Sequence, residues 1–374
     1  MKKNFIAIFY FIFFHIFFSS VFNLYADVYS KAKVLNIGSS EIKSGVVIQD
    51  VNLRILTGKF KGSIVKTNNY LWDEKNYNTC IKHGNTIVVR INETADSKID
   101  SVLIKGYPRD RILFLFLLFF LIMVFAVCGK KGLIVIVSLT VTISSFVFLL
   151  LPMLKNGYPP VIACSLVAMF IALVMLVLIL KFSRKFIASA LSLSIGLMCS
   201  VLVSVIFINL TKISGLFIEG SRMILTATRS ITDWTISDFQ GIIIGSVIIA
   251  ALGVTVDIIV DIVVGMSALY YTKKDITKNE LMASGLKIGK DVLSGMLGSL
   301  ILVFTASSII TIAVYTMLKI PVLRVINWEF FAVVILEALI GSITFVIVIP
   351  ITVLVSGIIF INADFTDKKQ NYTD

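Results

Sequence analysis

Residues 241–270 read GIIIGSVIIAALGVTVDIIVDIVVGMSALY, and the fold follows from this run. It carries two charges, Asp257 and Asp261, in a segment longer than the roughly 20 residues that a hydrocarbon core requires. Its apolar residues do not alternate with polar ones, so the run predicts a transmembrane helix and not a barrel strand. Working outward, residues 112–128, 133–151, 161–180, 186–210, 293–318 and 330–361 are comparable apolar runs. Composition agrees: 57% of the 374 residues are hydrophobic and 15% charged, against about 25% charged in soluble domains. The expectation is a polytopic α-helical membrane protein with about seven transmembrane helices over residues 111–362. Its immediate partner is the lipid bilayer.

The N-terminal side is different in kind. Lys2 and Lys3 precede an apolar stretch over residues 5–22 and a small residue, Ala26, so residues 1–26 read as a signal peptide or an uncleaved anchor. From residue 27 to about 110 the chain is polar. Patterns such as Val51-Asn52-Leu53-Arg54-Ile55 alternate with period two between Gly and Asn turn signals, predicting a small exported β domain. Lysines and arginines of the short loops (Lys130, Lys131; Lys181, Arg184, Lys185; Lys273, Lys274, Lys278, Lys287, Lys290; Lys368, Lys369) fall on one side, which places that side and the tail 363–374 in the cytoplasm. The location implied is a bacterial cytoplasmic membrane with the β domain extracytoplasmic. Between residues 211 and 240, the portion 218–231 could form an interfacial amphipathic helix near Trp234.

The net charge of +12 lies between the apolar runs and makes no dense basic patch, so it indicates topology and no nucleic-acid partner. The two histidines, His15 and His83, and the four cysteines without CxxC spacing offer no metal set, no catalytic set and no cofactor motif. What chemistry there is lies in the membrane. Gly241, Gly245, Gly253, Asp257, Asp261 and Gly265 recur at steps of four or eight, and such a series winds around the helix by about 40° per step of four. The glycines predict close helix packing. A central Asp costs about 2.5–3.5 kcal/mol on insertion scales, so Asp257 and Asp261 are expected to face a protein interior or an aqueous cavity. They make either a proton or cation site, or hydrogen bonds to the hydroxyls of Ser138, Thr140, Thr142, Ser144 and Ser145. Glu337, near the outer third of the last span, is a third intramembrane carboxylate, either functional on the same path, or snorkelling or locally paired.

A second cluster runs from Ser284 and Gly285 through Gly289, Lys290 and Asp291 to Gly298 and Ser299. It is not a phosphate loop: three residues instead of four separate Gly285 from Gly289, and Asp291 stands where Ser or Thr is needed. It reads either as a glycine-lined helix start serving as an inner gate or anion site, or as a tight cytoplasmic turn.

At these residues the chain resembles the YibE/F family of multi-pass bacterial membrane proteins. Ala251-Leu252-Gly253-Val254-Thr255-Val256-Asp257 is similar to the family's ALGAVMD stretch, and Ser284-Gly285 through Ile288-Gly289-Lys290-Asp291 with Met296 to its SGxxIGRDxxGTM stretch. Asn327, Glu329, Gly341-Ser342 and Pro350-Ile351-Thr352 resemble the closing pattern, and Tyr107-Pro108-Arg109-Asp110 with Lys131-Gly132 the junction into the first spans. The resemblance implies an intramembrane aspartate at Asp257, a glycine turn at Gly285 and Gly289, and a basic-acidic pair at Lys290 and Asp291. Asp261, Gly298 and Glu337 depart from the family pattern. The family brings no settled activity.

The leading functional expectation is a permease-like protein for a small solute or ion, with a path along Asp257, Asp261 and Glu337. A scaffold or accessory subunit docking an envelope or membrane protein through the β domain is the alternative, and an exposed edge strand would favour it. An intramembrane hydrolase ranks third, because Asp257 and Asp261 share one helix and cannot oppose each other across a substrate. The protein is not expected to be an enzyme.

Overall fold

A computed structural model of the chain describes residues 29–43, 46–71, 79–94, 98–216, 236–273 and 275–361. The signal or anchor over residues 1–26, the amphipathic segment 218–231 and the tail 363–374 lie outside the described residues. The chain divides into two compact units, Met1–Leu133 and Ile134–Asp374. The first membrane helix therefore belongs to the same unit as the β domain.

Five strands, β1 (Tyr29–Lys43), β2 (Val46–Ile55), β3 (Ile64–Leu71), β4 (Thr86–Glu93) and β5 (Ile99–Gly106), form one antiparallel sheet in the order β3-β2-β1-β4-β5. Val34 pairs with Leu53, Ala32 with Ile87 and Ile91 with Val102. This register puts every second residue (Val51, Leu53, Ile55; Ile87, Val89, Ile91) into one core, as the alternation predicts. A fully buried Leu53 contributes about 1.5–3 kcal/mol. The sheet coils until its two edge strands meet, and the Thr67 hydroxyl of β3 donates to the Val102 carbonyl of β5. Helix α1 (Asp110–Cys128) follows, its first carboxylate 2.5 Å from the Lys31 ammonium of β1.

The second unit holds α2 (Gly132–Lys155, starting at the unit boundary and containing a π turn at Phe146–Leu150), α3 (Pro160–Leu180), α4 (Arg184–Leu210), α5 (Ile236–Thr272), α6 (Lys278–Met317), the short α7 (Val322–Ile326) and α8 (Glu329–Ile361). Among the described residues seven helices, α1 to α6 and α8, are long and apolar enough to cross a membrane. Their core lies where α4, α5 and α8 meet, around the fully buried Ile248, Ile258, Ile259, Ile262 and Phe345. Gly196 of α4 sits so close to α8 that a Cβ there would lie 2.6 Å from Val348 Cγ2.

Helix α6 differs most from expectation. Its apolar run spans residues 293–318, yet the helix starts at Lys278. A capping box sets that start: Thr277 Oγ1 accepts from the Glu280 amide at 3.3 Å and the Glu280 carboxylate from the Thr277 amide at 3.1 Å. Ser284 to Asp291 are thus helical, and the reading of Gly285 and Gly289 as a turn is corrected. Apolar periodicity underestimates the helix because its first four turns are polar on one face.

Candidate functional site

The glycine and aspartate series of α5 can be followed around the helix. A Cβ on Gly241 would lie 3.2 Å from Pro160 of α3, and one on Gly245 2.8 Å from Cys164 Cβ. Further along, Gly265 turns toward α6, where a Cβ would lie 2.8 Å from Ile288 Cδ1. Between these two packed faces the series crosses an open one. Within the chain no neighbour packs against Gly253, where a Cβ would meet nothing within 4 Å. Asp257 and Asp261, on the same side, are exposed. The rotation is the physical reason: steps of four advance by about 40°, so a series that starts against α3 ends against α6 and leaves its middle uncovered.

The contacts of α5 with α6 fix which residues share a level. Gly265 meets Ile288, Ile262 meets Gly289 and Met266 meets Gly285. In this antiparallel pair each step along α5 matches one back along α6. Asp261 is therefore level with Lys290 and Asp291, Asp257 with Ser294 and Gly295, and Gly253 with Gly298 and Ser299. Lys287, Lys290, Asp291, Ser294, Gly295 and Gly298 are exposed as well. At about 100° per residue, Lys287, Asp291, Ser294, Gly295 and Gly298 fall on one face of α6, which adjoins the open face of α5 on the same side of the pair. Ser284, half-buried, begins this face two turns before Asp291. Gly285 and Gly289 point the other way: Cβ atoms there would lie 2.5 Å from Met266 Sδ and from Ile349 Cγ2.

Asp257 and Asp261 lie about 19 and 13 Å along the axis from Tyr270, near the lysine-rich end of α5, and are separated by one turn of about 6 Å. Among the described residues no hydrogen bond or ion pair reaches either carboxylate, nor joins Lys287 or Lys290 to any acid. The hydroxyls of α2 do not serve them: Thr140, Thr142 and Ser145 donate to carbonyls four residues back on their own helix at 2.7–2.9 Å. Glu337 is separate from the pair. Its Oε1 lies 2.9 Å from Ser246 Oγ, which is exposed on the same face of α5 but three turns, about 16 Å, from Asp257.

At the opposite end of the bundle lies a cavity of about 1040 Å³, lined among others by Lys212, Tyr315, Arg324, Asn327, Trp328 and Glu329. Tyr315 and Trp328 pack edge to face with ring centroids 4.9 Å apart. Glu329 accepts from the Ser214 hydroxyl at 3.0 Å and from the Gly215 amide, which ties the end of α4 to the start of α8. Sequence reasoning did not assign this cavity, because its wall comes from three chain segments. Asn327 and Glu329, already noted for their family resemblance, were its one sequence signal.

An antiparallel β domain followed by seven apolar helices, with ionisable side chains on the helices' surfaces, defines a polytopic α-helical membrane protein. Residues 115–362 match the model of the YibE/F-like protein family, and residues 28–107 that of the YibE/F family N-terminal domain. The chain belongs to the YibE/F family. It has no match among curated proteins or among solved structures.

Proposed function

We propose that this protein is a permease-like carrier of a small ion or solute, with Asp257 and Asp261 as the ion-binding step of its path and the bacterial cytoplasmic membrane as its location. One observation carries the reading: two carboxylates one turn apart, deep in a membrane helix, open to the surface and without a hydrogen-bond donor among the described residues. Lipid does not tolerate such a pair, so it works against water, a proton or a cation. At about 6 Å the two can share one proton or one small cation. Glu337, held by Ser246 farther along the same face, supplies a further station, and Lys290 with Asp291 flanks the entry from the lysine-rich end.

The scaffold alternative draws less support. Strand addition needs a free edge, and part of the edge of β5 is taken up by β3, whose Thr67 hydroxyl donates to the Val102 carbonyl. A hydrolytic role finds no opposed carboxylates, since Asp257 and Asp261 lie on one helix.

The test is charge movement in proteoliposomes after pH jumps and additions of small cations and amino acids, comparing wild type with Asp257→Asn and Asp261→Asn. Loss of the current in variants that keep the wild-type gel-filtration profile is expected. Currents unchanged in both variants, or no current from wild type in any condition, overturn the proposal.

A further inference from the structure

The open side of the α5–α6 pair is a surface that no lipid-facing helix pair would carry unattended. Within one patch it presents Asp257, Asp261 and Asp291, the cation Lys287 and the hydroxyl of Ser294, with Lys290 on the flank of α6 about 60° around the helix from Lys287, all exposed. Three glycines of the same patch, Gly253, Gly295 and Gly298, have nothing within 4 Å of a built Cβ. The other glycines of these two helices for which a neighbour is found, Gly241, Gly245, Gly265, Gly285 and Gly289, all meet a side chain of the same chain. Open glycines beside unpaired charges mark a face shaped for another helix to approach closely.

We propose that a second copy of this chain covers this face, in a two-fold dimer whose axis runs along the membrane normal. Charge complementarity selects this occupant. A two-fold along the normal keeps every residue at its own depth, so the level relations within one chain also hold across the axis. Lys290 of one copy then lies level with Asp261 and Asp291 of the other, and Ser294 lies level with Asp257. At the depth of Lys290 each copy offers both signs, and Lys287 lies one turn from Asp291, which makes the patch complementary to itself at that end. Helix α1 is a poor occupant by chemistry, since residues 112–127 hold no polar side chain to meet a carboxylate or an ammonium. With three acids against two bases per copy, one negative charge per copy stays uncompensated at the interface, where the proposed ion step would occur.

The inference goes beyond the transport reading and does not require it. Its test uses the full chain in native membranes, with the four native cysteines replaced and single cysteines placed at Ser294 and Gly298. Leu166 of α3 and Leu202 of α4, 58% and 61% exposed, serve as controls on other faces. Oxidative crosslinking to a dimer-sized band several-fold above both controls is expected at Ser294→Cys and Gly298→Cys. In lipid nanodiscs, Lys290→Glu is expected to weaken association at least about tenfold. Co-expression of differently tagged Lys290→Glu and Asp261→Lys/Asp291→Lys chains is expected to restore a mixed dimer that neither forms alone.

Equal crosslinking at all four positions overturns the proposal. So does an intrachain bond in a Gly298→Cys chain that also carries a second cysteine introduced into α1, a crosslink to a different protein, or a failure of the mixed pair to associate. A dimer without current leaves this inference standing and removes the transport reading, whereas current from chains that do not crosslink does the reverse.

Discussion

Gly245 offers the sharpest test of the packing. A Cβ at this position would lie 2.4 Å from Cys164 Sγ and 2.8 Å from Cys164 Cβ. The sulfur can rotate away, but the Cβ is fixed to its backbone, so Gly245→Ala must push α5 from α3 by roughly 0.7–1.2 Å to restore carbon contacts of about 3.5–4.0 Å. Overpacking of this kind costs about 1–3 kcal/mol. It acts against the gain of about 0.5–1 kcal/mol that Gly to Ala brings in an unobstructed helix. From the middle of each range a net loss of about 1 kcal/mol is expected, read as a shift of the unfolding midpoint in mixed micelles titrated with denaturing detergent. Cys164→Ala retains the offending Cβ and should not rescue the variant, whereas Cys164→Gly removes it. A double-mutant cycle of Gly245→Ala with Cys164→Gly should therefore show favourable coupling of about 1 kcal/mol or more. Gly245→Ala as stable as wild type, or rescue by Cys164→Ala equal to that by Cys164→Gly, would refute the close approach of α3 and α5.

Other outcomes follow from single groups. Glu329→Gln keeps the size of the side chain but loses the charged acceptor for Ser214 and Gly215. It should destabilise the second unit by about 1–2 kcal/mol and raise hydrogen exchange over residues 211–216, and unchanged exchange there would sink the proposed tie. In the β domain, the hydrogen bond and charge of Asp50, 2.8 Å away, hold the Lys66 ammonium above the ordinary lysine value of 10.5. A methyl-labelled Lys66 resonance should titrate late in the intact protein and return to ordinary behaviour in Asp50→Asn. Because the folded value is raised, the pair's contribution is complete below the unfolded value and fades as pH climbs through the folded one. Titration identical in both proteins would show that the contact is not kept in solution.

Much of the architecture was legible along the chain because each of its causes is local. Period-two alternation around Leu53 and Ile87 fixes strand faces, and runs of about 20 apolar residues can satisfy their backbone in lipid only as helices. The motifs around Asp257, Ile288-Gly289-Lys290-Asp291 and Pro350-Ile351-Thr352 carry the family in the same linear way. The start of α6 was not legible from apolarity, since Thr277 and Glu280 set it through a cap four turns ahead of the first continuous apolar residues.

The roles of individual residues needed tertiary structure. The four-residue spacing makes Gly245 and Gly253 look equivalent, and it takes the positions of α3 and α6 to pack the first against Cys164 and leave the second open. Asp257, Asp261, Lys290 and Asp291 share a surface because α5 and α6 run antiparallel in the register set by Gly265, Ile262 and Gly289. Glu337, equally apolar in its surroundings, is instead drawn to Ser246. Spacing along a chain specifies the angle of a side chain about its own helix axis, but which neighbour stands at that angle is decided only when the helices pack.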